Sequence, residues 1–128
     1  MQLERLRKFD VIAMGRATVD LYANETGPME NVKTFSKYVG GSPANTAVAM
    51  ANLGLRVGYI GKVPDDAFGR FIYSYLNEKG VDVSHILKDD TGRRSGLTMG
   101  EIREGGKCSY FMYRKDCADL NIQCSEID

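Results

Sequence analysis

A pair of glycines that leads directly into an alanine-faced helix constrains this chain more than any other feature. Residues 40–45 have the sequence Gly-Gly-Ser-Pro-Ala-Asn. A serine before a proline is typical of a helix start, so we predict Ser42 as the N-cap and Pro43 as the first helical residue. Apolar residues then recur at helical spacing: Ala44, Ala47, Val48, Ala51 and Leu55. Gly54 is predicted to end the helix. A stripe made mostly of alanine lets a helix approach a sheet closely.

Strand and helix patterns alternate around this helix. The apolar run 9–14 and the segment 56–61 have the character of buried strands, and a third short strand is predicted at 83–87. A second helix is predicted to begin at Asp65-Asp66, to end at Gly80 and to present an apolar face formed by Phe68, Phe71, Ile72, Tyr75 and Leu76. The order strand, helix, strand, helix, strand predicts right-handed crossovers and a parallel sheet, which is an α/β fold.

Four further segments alternate polar and apolar residues. Segments 19–22 and 33–39 predict one antiparallel pair, and segments 96–102 and 107–114, joined by Glu104-Gly105-Gly106, predict a hairpin. Alternation leaves one face of each pair polar, so we expect a flap beside the core.

Charge and length restrict the partners. The 128 residues allow one domain at most, and 17 basic side chains balance 17 acidic ones. A zero net charge gives no basic surplus for nucleic acid or an anionic membrane. The charged start 1–8 has no signal-peptide pattern, and three unevenly spaced cysteines suggest no disulfide framework, so we expect a cytoplasmic protein. The chain ends after three core strands, so we interpret it as the N-terminal part of a larger protein.

Three groups of residues are candidates for binding chemistry. The Gly40-Gly41 pair lets a backbone approach a ligand, the helix N-terminus presents free N–H groups, and Asn45 can direct an amide to the same place; the alternative is a tight strand-to-helix connection. No GxxxxGK[ST] or GxGxxG motif occurs, which argues against a P-loop or a nicotinamide site.

Acidic and basic residues provide the other two groups. Asp20, four residues after Arg16, is either a surface residue or an acceptor for paired hydroxyls. Tyr113 and Arg114 fall on the last strand of the hairpin, where the arginine could pair with a carboxylate or end the strand in solvent. The paired acids at 65–66 are interpreted as helix-capping residues.

Taken together, these motifs resemble the ribokinase-like (PfkB-type) carbohydrate kinases. The resemblance rests on residues 15–22, 40–47 and 61–69, whose order and gaps match that family, and it extends from about Phe9 to Leu120. It implies a three-layer α/β/α sandwich with a small β-sheet lid, truncated here. Residues 1–128 would be the N-terminal part of one kinase domain, with core segments 8–15 and 40–90 and lid segments of about 17–39 and 96–114.

The resemblance also implies a reaction and a site. Family members transfer the γ-phosphate of ATP, with Mg²⁺, to a primary hydroxyl of a sugar. By position, Asp20 is similar to the lid aspartate that accepts sugar hydroxyls, and Gly40, Gly41 and Asn45 are similar to the substrate-binding glycines and asparagine. The additional cations Arg16 and Arg114, with Tyr113, suit a sugar acid, whose carboxylate we expect at Arg114.

One expected motif is absent after Arg114. The Gly-Ala-Gly-Asp stretch that carries the family's catalytic aspartate does not occur in this chain. We therefore expect the substrate side of the site here, most of the ATP side elsewhere, and no turnover by the 128 residues alone. The alternatives are a non-catalytic sugar-binding module and a module that forms a homodimer through the exposed strand edges of the lid.

Overall fold

A parallel sheet forms the base of the molecule, whose structure is a computed structural model that describes residues 7–127. Most of the charged N-terminal segment, residues 1–6, lies outside the described residues. Strands β1 (Val11–Met14), β4 (Val57–Pro64) and β5 (Ile86–Asp89) pair in parallel in the order β1-β4-β5. The predicted α/β sheet is confirmed, although β5 begins later than the segment 83–87 suggested. The residues before β5 contribute only a single bridge, between Gly58 and Asp82.

Helix α1 (Ser42–Asn52) begins at the glycine pair. Its N-cap is Gly41, whose φ of 100° requires a glycine, and the Gly41 carbonyl accepts the first helical hydrogen bond from the Asn45 N–H at 2.9 Å. Ser42 is therefore the first helical residue and not the N-cap that the sequence predicted. The alanine face packs as expected, with Ala47 fully buried, whereas Leu55 lies beyond the helix end and is 40% exposed.

Helix α2 (Ala67–Glu78) covers the same core. Its N-cap is Asp66, as predicted, and one carboxylate oxygen accepts the backbone N–H groups of Phe68 at 2.9 Å and Gly69 at 3.0 Å. Two side chains of this helix, Ile72 and Leu76, are fully buried in that core. Capping thus accounts for Asp66, whereas the neighbouring Asp65 is exposed and lies 3.8 Å from Lys88.

A second sheet has four strands. These are β2 (Thr18–Thr26), β3 (Phe35–Gly40), β6 (Leu97–Ile102) and β7 (Cys108–Tyr113), in the order β3-β2-β6-β7. The two predicted antiparallel pairs are confirmed. The sequence did not predict that β2 and β6 pair in parallel and so join both hairpins into one sheet.

The two faces of this sheet have different surroundings. Side chains of paired residues point to the same side, so the register places Asp20 with Tyr38, Thr98 and Met112, which we call the Asp20 face. The opposite face carries the apolar row Val19, Val39, Leu97 and Tyr113. Val19 is fully buried in the main core, which holds the four-stranded sheet against the rest of the molecule.

The end of the described chain is tied back to the parallel sheet. Lys62 of β4, which is 5% exposed, donates from Nζ to the Glu126 carboxylate at 2.6 and 2.9 Å and to the Asn121 carbonyl at 3.1 Å. Asn121 in turn donates to the buried Asp89 carboxylate at 2.9 Å. Neither helix in residues 7–127 has the length and apolar content that a bilayer crossing requires.

Candidate functional site

Asp20 lies directly against the first glycine of the pair. If Gly40 carried a Cβ atom, that atom would lie 2.5 Å from Cγ of Asp20 and even closer to both carboxylate oxygens. Gly40 is buried at the end of β3, immediately before the N-cap of α1. The absence of a side chain at position 40 therefore makes the space that the Asp20 carboxylate occupies.

The second glycine packs against the loop between β1 and β2, which we call the floor of the site. A Cβ atom on Gly41 would collide with the Arg16 carbonyl oxygen and lie 3.3 Å from Cα of Ala17. The glycine pair thus brings the N-terminus of α1 against the loop between β1 and β2. Free N–H groups at a helix start favour a polar or anionic ligand.

Electrostatic effects on Asp20 oppose one another. Burial raises the pKa of the Asp20 carboxyl, and the Thr98 hydroxyl, the Arg114 guanidinium and the Thr18 hydroxyl partly offset this increase. Arg114 is the one cation among these influences. The carboxylate is therefore half-buried and has one cationic neighbour, an environment that favours an incoming donor such as a sugar hydroxyl.

Two buried polar atoms beside Asp20 lack partners. Thr18 is 1% exposed, and its Oγ1 lies near enough to Asp20 to favour the ionised carboxylate but meets no hydrogen-bond geometry with any described residue. The Nε atom of Arg114 is likewise buried and unpaired. Both residues pack at the same position, since a Cβ atom on Gly96 would lie 2.9 Å from Thr18 and 3.9 Å from Arg114. Orphaned buried polar atoms are costly and rare, so their grouping here marks an unusually polar, buried environment beside Asp20.

The three remaining predicted site residues, Asn45, Arg16 and Tyr113, have different surroundings from one another. Asn45 is exposed in the first turn of α1, and its side chain makes no hydrogen bond to residues 7–127, so the amide is available. Arg16 lies at the floor, but its Nε donates to Asp119 at 2.7 Å. Tyr113 pairs with Leu97 on the face opposite Asp20, so its proposed role beside Arg114 is corrected by the strand register.

Sequence reasoning missed two members of this group. Thr18 lies two residues before Asp20 on the same strand, so its position on the Asp20 face could have been found from the alternation alone. Thr98 could not have been found from the sequence, because it lies beside Asp20 only through the parallel pairing of β2 with β6. Around them the Asp20 face carries aromatic rings, with Tyr22 packed edge-on against Tyr38 at 5.7 Å and Tyr110 at 6.2 Å between centroids.

The chain belongs to the pfkB family of carbohydrate kinases, whose pattern it matches over residues 8–128. The ribokinase-like fold expected from the sequence is confirmed.

The chain is similar in sequence and in structure to particular members of this family. The chain is 52% identical over 129 residues to a 5-dehydro-2-deoxygluconokinase of Shouchella clausii, an alignment that covers 100% of this chain and 40% of the relative. The crystal structure of a PfkB protein from Polaromonas sp. JS666 superposes with a TM-score of 0.87 at 30% identity, over 94% of this chain and 40% of that one. An uncharacterized sugar kinase from Pyrococcus horikoshii, solved in complex with ATP, superposes with a TM-score of 0.83 at 31% identity, over 92% and 38%. The chain thus spans about 40% of the length of the curated relative.

Proposed function

We propose that this chain is the substrate-binding, N-terminal part of a kinase that transfers a phosphoryl group from ATP to a primary hydroxyl of 5-dehydro-2-deoxygluconate. The observation that carries this proposal is the half-buried Asp20 carboxylate against Gly40 at the start of α1, with the Arg114 guanidinium as its cationic neighbour. A sugar acid has both the hydroxyl donors that Asp20 needs and the carboxylate that Arg114 needs. The relatives that bear the name of this kinase support the same substrate.

Each residue has a separate part in this proposal. Asp20 accepts hydrogen bonds from substrate hydroxyls. The Thr18 hydroxyl, which can donate and accept, forms a hydrogen bond with the same ligand. Gly40 and Gly41 leave room for the ligand over the start of α1, and Asn45 adds an amide from the first helical turn. Arg114 receives the carboxylate, because a guanidinium binds a carboxylate in a bidentate manner.

The nucleotide side of the reaction is assigned to the part of the protein beyond this chain. Phosphoryl transfer depends on groups that position the γ-phosphate and stabilise its charge. Among residues 7–127 no cluster of three or more His, Cys, Asp or Glu side chains is arranged to hold a metal ion, so we assign no Mg²⁺ ligand to this chain. The 128 residues alone are then inactive, and the complete kinase would act in the cytoplasm in inositol catabolism.

The test is a phosphoryl-acceptor panel with the full-length protein. ADP release is measured with 5-dehydro-2-deoxygluconate, other sugar acids and neutral hexoses as acceptors, in the wild type and in Arg114→Ala. We expect the dehydro-deoxy acid to give the highest kcat/KM and Arg114→Ala to raise its KM by about tenfold to a hundredfold. An unchanged KM in Arg114→Ala would exclude the carboxylate assignment, and a best acceptor without a carboxylate would exclude the substrate class.

A second candidate function is pairing of two copies through the four-stranded sheet. The Asp20 face exposes large side chains, with Tyr38 53%, Tyr110 52% and Met112 54% exposed. Contiguous exposed apolar side chains beside a sheet edge favour association. Sedimentation of the full-length protein tests this, because a Met112→Lys substitution would shift a dimer to monomer and would leave a monomer unchanged.

A further inference from the structure

Asp119 is a buried carboxylate for which the proposed chemistry has no direct use. It lies in the short 3-10 turn Ala118–Leu120, and only 5% of its side chain is exposed. Its Oδ2 atom accepts a hydrogen bond from Arg16 Nε at 2.7 Å, across 103 residues of sequence. A buried carboxylate is costly unless it is paired, so this contact fixes both residues.

Arg16 belongs to the floor of the site. It lies between β1 and β2, four residues before Asp20, and its carbonyl oxygen packs against Gly41. The preceding carbonyl, that of Gly15, accepts a hydrogen bond from the buried Tyr59 hydroxyl at 2.6 Å. The ion pair with Asp119 is therefore a third restraint on the loop that leads into Asp20.

Asp119 lies in the segment that follows β7 and Arg114. It follows Arg114 by five residues, after a turn at which Asp116 has a φ of 50°. Between them, the Ala118 N–H donates to the Arg94 carbonyl at 2.9 Å. The buried Cys117 thiol lies close to both arginines: burial and Asp119 raise its pKa, while Arg16 and Arg114 oppose that shift. Asp119 thus lies in the same short segment as Arg114, five residues further along the chain.

These contacts join two parts of the site that are far apart in sequence. We propose that Asp119 is a positioning residue which, by holding Arg16, fixes the separation between Asp20 and Arg114 and so the preference for an acid whose hydroxyls and carboxylate match that separation. The inference rests on the proposed function. It predicts that Arg16 acts through Asp119, whereas an Arg16 that binds substrate directly would act independently of it.

The experiment measures kcat and KM of the full-length kinase with 5-dehydro-2-deoxygluconate. Because a misplaced binding group costs affinity steeply, we expect Asp119→Asn and Arg16→Met each to raise the KM for the acid about tenfold or more, with a smaller effect on kcat and none on the KM for ATP. The double variant is no worse than either single variant. Asp119→Glu, which keeps the negative charge but has a side chain longer by one methylene, gives an intermediate KM.

Glu126→Gln is the matched control. It breaks a different ion pair in the same terminal segment and lowers the melting temperature without changing the KM. The inference is overturned if Asp119→Asn leaves the KM unchanged, or if the effects of Arg16→Met and Asp119→Asn add independently. Should Asp119→Asn not fold, Asp119→Glu decides, since an unchanged KM there also overturns the inference. A failure of the proposed function is distinct, because the wild type itself would then not prefer the acid.

Discussion

At the scale of single residues, the contact between Asp20 and Gly40 organises the site. The carboxylate fills the space where a side chain at position 40 would lie, and burial at that place raises the pKa of Asp20. The residue therefore weakens folding slightly in order to present an acceptor to a ligand. Functional sites commonly carry such locally unfavourable groups.

Replacing Gly40 with alanine tests this contact. The new methyl group would displace the Asp20 carboxylate, so we expect the KM for the sugar acid to rise about tenfold or more and the free energy of unfolding to fall by about 1–3 kcal/mol. Gly54→Ala is the control: Gly54 has a φ of 88° and open space around its Cα. It should cost about 1 kcal/mol of stability and leave the KM unchanged. A Gly40→Ala enzyme with normal KM would contradict the account.

The ionisation of Asp20 gives a second prediction. Substrate hydroxyls need the ionised carboxylate, so kcat/KM of the full-length kinase should fall as the pH drops through the raised pKa of Asp20. The fall should begin at a higher pH than an ordinary aspartate would give. Asp20→Asn should lose most of the activity while remaining at least as stable near pH 7, because the buried charge is gone. A flat acid limb down to the ordinary aspartate range would argue against Asp20 as the acceptor.

At the scale of elements, local signals predicted most of the secondary structure but not how it assembles. Alternation located β2 and β3, and the acid pair located α2, because these signals lie within a few residues. The N-cap of α1 was assigned to Ser42 because serine is a good cap, and the close approach to Arg16 that demands Gly41 is not visible in sequence. The parallel pairing of β2 with β6 joins segments about 78 residues apart, and no local pattern reports it.

The ion pair between Lys62 of β4 and Glu126 of the terminal segment gives a prediction about how these two segments hold together. Glu126→Gln would leave the buried Lys62 ammonium without its carboxylate, so the melting temperature at pH 7 should fall clearly. The Lys62 hydrogen bond lowers the pKa of Glu126, so this contribution is present above the ordinary glutamate pKa and is lost as the pH falls below it. The melting temperatures of the wild type and of Glu126→Gln should therefore converge between pH 7 and an acidic pH below the lowered pKa of Glu126.

Asp65→Asn is the control for that comparison. Its ion pair with Lys88 spans 3.8 Å, and the two side chains are 64% and 71% exposed. Exposed pairs contribute little, so its melting temperature should match the wild type at both pH values. A pH-independent difference between the wild type and Glu126→Gln would contradict the role of the charge.

At the scale of the whole molecule, one face of the parallel sheet is exposed along β1, although the terminal segment covers the same face at Lys62 of β4. Ile12 is 56% and Met14 51% exposed on β1, whereas Val57 and Tyr59 on the adjacent strand are buried. Parallel sheets are normally covered on both faces. The chain spans only 40% of the length of the relative from Shouchella clausii.

The 128-residue chain expressed alone should show the consequences of this open face. We expect it to bind an apolar dye, to self-associate at micromolar concentrations in sedimentation velocity, and to release no ADP from ATP when the sugar acid is added. Ile12→Lys should reduce the self-association if the open face causes it. Sugar-dependent ADP release by this chain would contradict the assignment of the nucleotide side to the rest of the protein.

The most direct test of the central claim separates the two ends of the ligand. In the full-length kinase, the ratio of kcat/KM for 5-dehydro-2-deoxygluconate to that for fructose, a neutral ketose, is measured in the wild type, Arg114→Met and Asp20→Asn. The account predicts that Arg114→Met abolishes the preference for the acid but keeps residual activity on the ketose, and that Asp20→Asn loses activity on both. An unchanged ratio in Arg114→Met, or undiminished activity in Asp20→Asn, would contradict it.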